Sequence, residues 1–248
     1  MALRVFANGA LFADATGSGP PRVIALHGWA RRGSDFRPAL ADLDALAPDL
    51  PGFGASPPPS EPLGAEGYAH LINQLLDVCD HPPVVVGHSF GGRIAVCLAA
   101  LYPDRVGSLV LTGAPLVRHT PARSPSLRYR MIRGLNRVGL LSDDHLEKIR
   151  HQTGSADYRA ASGVMRDILV RVVNESYEPQ LRALTAPVSL IWGGADREVP
   201  VGIAKAAAEV IASQGREVDF EILEGVGHLV PVEAPEALRA VIDRALAR

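Results

Sequence analysis

The chain has 248 residues, a hydrophobic fraction of 47% and a formal net charge of −2, which fits one α/β domain with room for an insertion. Near-neutral charge leaves no electrostatic case for a nucleic-acid partner. No run approaches the roughly eighteen apolar residues of a membrane span, and residues 1–6 lack a basic segment leading into a long apolar one. A soluble cytoplasmic protein with no signal peptide and no membrane partner is therefore the expectation.

Residues 3–6 and 11–13 flank Asn8-Gly9, a strong hairpin signal, and predict an opening β-hairpin. Residues 22–26 read as a buried strand ending at His27-Gly28. A helix is expected over 36–43, then a strand near Leu46 and a loop from Asp49 to Gly54. Pro57-Pro58-Pro59 extends that loop, because proline excludes a helix there. Residues 65–78 read as a helix with Leu71, Ile72, Leu75, Leu76 and Cys79 on one face. A strand over 83–86 precedes a helix over 92–100, which Pro103 ends. Residues 108–112, 187–192 and 218–223 are further strands, and helices are expected over 201–213 and 235–247.

This alternation implies an α/β fold: a mostly parallel central sheet with right-handed crossovers and helices on both faces. It breaks once. Between 116 and 184 only helical patterns occur, among them Val164, Met165, Ile168, Leu169, Val172 and Val173. The organisation read from this is a core of residues 1–115 and 185–248 carrying a helical lid insertion at 116–184. Cys79 and Cys97 form neither a CxxC pair nor part of a metal cluster and read as small core hydrophobes, so no metal site is expected.

Gly87-His88-Ser89-Phe90-Gly91 sits between the apolar strand and a helix. A serine hydroxyl is a poor nucleophile unless the fold exposes it and a base takes its proton. A strand turning directly into a helix exposes the middle residue, and glycine leaves room at the crowded positions either side. The competing role for Ser89 is a helix N-cap. Two later residues favour the nucleophile. Asp196, in Trp192-Gly193-Gly194-Ala195-Asp196, and His228, in Gly225-Val226-Gly227-His228, each follow a strand, at the sheet edge where ligands bind. The chemistry assigns attack to Ser89, proton transfer to His228, and the tautomer and the imidazolium to Asp196. The order serine, acid, histidine is the one expected of G-x-S-x-G enzymes on such a sheet. His88 reads as a packing residue, His27 as a bond between loops, and Asp49 as a loop-bonding carboxylate. His70, His81, His119, His145 and His151 match no motif and read as surface residues.

Together with His27-Gly28-Trp29 and Asp49-Leu50-Pro51-Gly52-Phe53-Gly54-Ala55-Ser56, these motifs resemble the α/β-hydrolase superfamily over essentially the whole chain. The resemblance implies that the backbone N–H groups of Trp29 and Phe90 form an oxyanion hole, each contributing about 3 kcal/mol. It also implies that the alternative acid position after Thr112 is vacant, since Gly113-Ala114 offers no carboxylate. Serine rather than aspartate at the elbow favours acyl transfer to water, and the short chain is similar to the small esterase, C–C hydrolase and cofactor-free haloperoxidase branch. No cofactor is expected.

Arg118, Arg123, Arg128, Arg130, Arg133 and Arg137 form a basic stretch without Asp or Glu. Arg128 and Arg130 are candidate contacts to a substrate carboxylate or phosphate, with Trp29 and Phe90 as aromatic walls; the competing role is a solvated helix face. The leading expectation is a serine hydrolase acting on a small or medium carboxylic ester, lactone or thioester. Its alternatives are a C–C bond hydrolase or a menaquinone-synthesis-type lyase acting on an anionic substrate. A non-enzymatic small-molecule receptor that keeps the triad is the third. The partner in each case is a small molecule, and monomer and homodimer stay open.

Overall fold

The structure, a computed structural model, describes residues 2–117 and 156–248. Among these, eight strands form one sheet: β1 (Ala2–Phe6), β2 (Leu11–Thr16), β3 (Val23–Leu26), β4 (Ala45–Asp49), β5 (Val84–His88), β6 (Ser108–Thr112), β7 (Val188–Gly193) and β8 (Val218–Leu223). Their order is β1-β2-β4-β3-β5-β6-β7-β8. The first hairpin pairs antiparallel with itself and with β4, and every other pairing is parallel. From β3 the chain steps one way to β4 and the other way to β5. That reversal opens a crevice at the carboxyl ends of β3 and β5, the usual ligand position in such sheets.

The hairpin forms as Asn8-Gly9 predicts. Ala7, Asn8 and Gly9 all take positive φ (51°, 53° and 92°), and Phe6 pairs with Leu11 across the turn.

Burial follows the period of two. Ile24 and Leu26, Val85, Leu109 and Leu111, and Leu190 and Trp192 feed a core on one face. That core lies under the helices α1 (Ala65–Asn73), α2 (Phe90–Leu101) and α6 (Val201–Ala212). Val23 and Ala25, Val84 and Val86, Val110 and Ile191 feed the other core with Phe36, Leu40 and Leu238, the last on α8 (Pro235–Leu246). Near-continuous apolar strands are what a sheet covered on both faces requires.

Between β6 and β7 the described residues form α3 (Ala156–Ala160), α4 (Gly163–Asn174) and α5 (Glu178–Ala183), with no strand among them. Ile168, Leu169 and Val172 of α4 are buried, while Val173 is exposed. A short α7 (Val230–Glu233) precedes α8.

One expected helix is absent and another is shorter than the sequence indicated. The span 36–43 is a 3₁₀ turn, Gly33–Phe36, followed by irregular turns. Pro38 has no N–H to donate there, and Asp42 takes a φ of 64° that a helix does not allow. The helix from Ala65 ends at Asn73 and continues as a 3₁₀ turn through Val78. Cys97 is buried as expected, and Cys79 is only half-buried.

Candidate active site

The elbow is built by crowding. Ser89 itself carries the positive φ, 51° with ψ −110°, a strained conformation of the kind held only where surroundings fix it. Gly87 and Gly91 supply space. A Cβ on Gly87 would lie 2.6 Å from the Gly92 Cα, and one on Gly91 would lie 2.0 Å from the Leu26 carbonyl oxygen. The Ser89 N–H donates to Thr112 O at 2.9 Å and the Gly91 N–H to His27 O at 3.0 Å, locking the turn between β6 and the end of β3.

Asp196 uses its two oxygens differently. Oδ1 accepts the N–H groups of Glu198 (2.9 Å) and Val199 (2.8 Å), and Oδ2 meets His228 Nδ1 at 2.8 Å. Their side chains are 1% and 9% exposed, so water competes little for that bond. Burial alone would raise the Asp196 carboxyl. The hydrogen bonds from His228, Val199 and Glu198 outweigh it and hold the group below its ordinary value. Burial alone would lower His228, but the Asp196 hydrogen bond and the charges of Asp196, Glu198 and Glu233 hold it above the usual 6.5.

Ser89 and His228 approach through shared neighbours. Ser89 is bonded to Thr112, and a Cβ on the next residue, Gly113, would fall 2.9 Å from His228 Cε1. No hydrogen bond joins Ser89 Oγ to His228; His228 Nε2 lies 3.7 Å from Glu198 Oε2.

The Trp29 and Phe90 N–H groups make no hydrogen bond to any acceptor among the described residues, Phe90 as the first residue of α2. Free donors at a helix start are suited to a developing oxyanion. The Trp29 ring packs edge-on to Phe53 (5.0 Å) and Phe90 (5.5 Å), and Phe90 also meets Tyr68 at 5.0 Å. A Cβ on Gly52, one residue before Phe53, would meet the Met165 sulfur of α4 at 2.2 Å, which brings that helix against the aromatic cluster.

His27 and Asp49 bond loops together. His27 Nδ1–H donates to Gly28 O at 2.7 Å and its Nε2 accepts the Leu50 N–H at 2.8 Å. Burial pushes it down to about 4, so it is neutral in this role. Asp49 accepts from the N–H groups of Gly33 and Ala55 at 2.9 and 2.8 Å.

His88 does more than pack. Its Nε2–H donates to the backbone carbonyl of His228 at 3.0 Å and the two rings lie 4.9 Å apart; burial and the neighbouring His228 push it down to about 3. Glu198 and Glu233 were not signalled by motif. Glu233 follows Pro231 in the first turn of a short helix and reaches back to preceding amides, a capping pattern readable in principle. Glu198 has no such signature.

Arg118, Arg123, Arg128, Arg130, Arg133 and Arg137 lie outside the described residues, as do His119, His145 and His151. No group of three His, Cys, Asp or Glu that could hold a metal occurs among the described residues. No helix among them is long and apolar enough to cross a membrane. A cavity of about 450 Å³ lined by Pro21, Arg22, Asp44, His81 and Leu246 opens at the opposite, amino end of the strands and shares no residue with the site.

The chain is similar to several known hydrolases. Lipase LipV of Mycobacterium tuberculosis is 30% identical over 257 residues, covering 91% of this chain and 93% of its own. A 2-hydroxy-6-oxononadienedioate/2-hydroxy-6-oxononatrienedioate hydrolase of Cupriavidus pinatubonensis is 28% identical, covering 92% and 88%. Among solved structures, a bacterial membrane phospholipase A superposes with a TM-score of 0.72 at 25% identity, covering 99% of this chain and 85% of that one. Residues 23–241 match the model of the alpha/beta hydrolase family, and the chain belongs to that family.

Proposed function

We propose that this chain is a serine hydrolase that cleaves a small or medium carboxylic ester through an acyl-enzyme, with Ser89, His228 and Asp196 as its triad. The observation that carries the reading is the 2.8 Å Asp196–His228 bond, together with a half-buried serine held in a strained strand-to-helix turn. In this mechanism His228 Nε2 takes the Ser89 proton as Oγ attacks the ester carbonyl. The oxyanion forms against the Trp29 and Phe90 N–H groups, and the imidazolium returns its proton to the departing alcohol. Water then repeats the sequence on the acyl-serine and releases the acid. Asp196 keeps Nδ1 protonated throughout, leaving Nε2 as the accepting nitrogen. Residues 116–184 act as a lid over the acyl group, with Trp29 and Phe90 on its wall. The substrate is a small molecule, and the reading includes a cytoplasmic location.

The lipase and esterase names among relatives favour ester chemistry. The similarity to a dienedioate hydrolase supports a second reading, C–C bond hydrolysis of an anionic substrate with Arg128 and Arg130 holding its carboxylate. Short p-nitrophenyl esters separate them. Ester hydrolysis predicts a burst of nitrophenol followed by steady turnover, abolished in Ser89→Ala. C–C cleavage predicts feeble ester turnover and a raised KM in Arg128→Ala with a dienedioate substrate. Ester turnover undiminished in Ser89→Ala contradicts both.

A further inference from the structure

The backbone of the loop carrying His228 is held almost atom by atom. The Ala195 N–H donates to Val226 O at 2.9 Å, tying this loop to the one that carries Asp196. His88 donates to His228 O. The two amides flanking His228 go to a single side chain: Glu233 Oε2 accepts the Gly227 N–H at 2.7 Å and Oε1 accepts the Leu229 N–H at 2.9 Å. A Cβ on Gly227 would lie 3.0 Å from both of those oxygens, so the carboxylate lies directly against a backbone that only glycine leaves bare. Leu229 is the N-cap of α7 and Glu233 closes it, so the carboxylate reaches back over one turn to a donor the helix leaves free.

Glu233 is exposed, while Gly227 and Leu229, whose amides it accepts, are half-buried. Capping accounts for the bond to Leu229; the second bond, to Gly227, carries the same carboxylate to the other side of His228. From this we propose that Glu233 is a positioning residue for His228: it fixes the loop from both flanks and places a negative charge behind the imidazole. The proposal rests on His228 being the base of the reaction. The groups facing His228 are Asp196 at Nδ1, Glu198 at 3.7 Å from Nε2, Glu233 behind the loop, the neutral His88, and the uncharged Ser89 and Gly113. All three charges are of one sign, and each favours the imidazolium.

Glu233→Gln tests this at constant volume. A glutamine accepts one amide but presents its NH₂ to the other, and it carries no charge. With p-nitrophenyl butyrate, kcat is expected to fall roughly ten- to a hundredfold from a misplaced base, with KM within twofold. The acid limb of kcat/KM, and the His228 titration followed by NMR, move to lower pH. Glu233→Asp keeps the charge, so its kcat falls while its acid limb stays at the wild-type position; this variant carries the test if the glutamine variant does not fold. A folded Glu233→Gln protein with wild-type kcat, or with an unmoved acid limb, overturns the proposal. Ser89→Ala in the same assay separates the two failures. If it is inactive while Glu233→Gln is unchanged, only the role of Glu233 falls. If it retains turnover, the triad falls with it.

Discussion

The proposed nucleophile and the proposed base are held by opposite strategies. Ser89 is fixed by what surrounds it at fixed distance: glycines pressed against the Leu26 carbonyl and the start of α2, and backbone bonds to Thr112 and His27. His228 is fixed by side chains that arrive from elsewhere: Asp196 on its ring, His88 on its carbonyl and Glu233 on its flanking amides. The first arrangement is steric and uncharged, a pentapeptide pressed against the ends of β3 and β6. The second is electrostatic and assembled from two distant segments and one nearby helix. A steric frame keeps its shape as pH changes, whereas a charged one tunes the proton affinity of what it holds.

This contrast is broken most severely by Asp196→Asn. Oδ1 accepts two backbone N–H groups, so an asparagine keeps its oxygen there and turns its NH₂ toward His228 Nδ1. That stabilises the wrong tautomer, and kcat is expected to fall by about 10⁴ while the melting temperature changes little. Steady-state kinetics and calorimetry on one preparation check both halves.

Acidification comes next and separates the regions by sign. His27 and His88 are pushed down to about 4 and about 3, so in the unfolded chain they bind protons near pH 6.5 that the folded chain refuses. Their contribution is present above 6.5 and is lost as pH falls toward those values, each amounting to several kcal/mol if the whole shift is realised. His228 is shifted the other way; its contribution is complete below 6.5 and is lost as pH rises through its raised value. Urea unfolding from pH 7 to pH 5 should therefore show net destabilisation, because two groups oppose one. In His88→Phe that slope should become shallower.

Glycine substitutions give the smallest effects and locate the steric frame. Gly91→Ala drives a methyl to 2.0 Å from Leu26 O and is expected to cost about 3 kcal/mol in urea unfolding. Gly225→Ala, in the base loop, meets nothing within 4 Å and pays only for its φ of +74°, about 1 kcal/mol. Equal costs at the two positions would remove the distinction.

The same contrast explains what the chain reveals before it is folded. Gly87, Ser89 and Gly91 alternate within one pentapeptide between an apolar strand and a helix, so the elbow is legible from the pattern and its flanks. The parallel sheet is legible too, because Val84, Val85 and Val86 must each be apolar when both faces are covered. The bond between Asp196 and His228 follows from order along the chain. His88 acts on a backbone 140 residues away through a contact that no pattern singles out, Glu233 is marked only by its place in the short helix after His228, and Glu198 comes within 3.7 Å of Nε2 only because the loop after β7 turns toward His228. The helix expected at 36–43 failed for a local reason, the proline at 38 and the left-handed Asp42, which outweighed apolar spacing.

The central claim is that Ser89 becomes covalently acylated by way of His228. Intact-mass measurement after brief exposure to p-nitrophenyl butyrate at low pH, followed by peptide mapping, tests it directly. The account predicts one added butyryl group, located on Ser89, absent in Ser89→Ala and strongly reduced in His228→Ala. An adduct that persists in Ser89→Ala, or turnover of the ester with no adduct on Ser89 at any time, would contradict it.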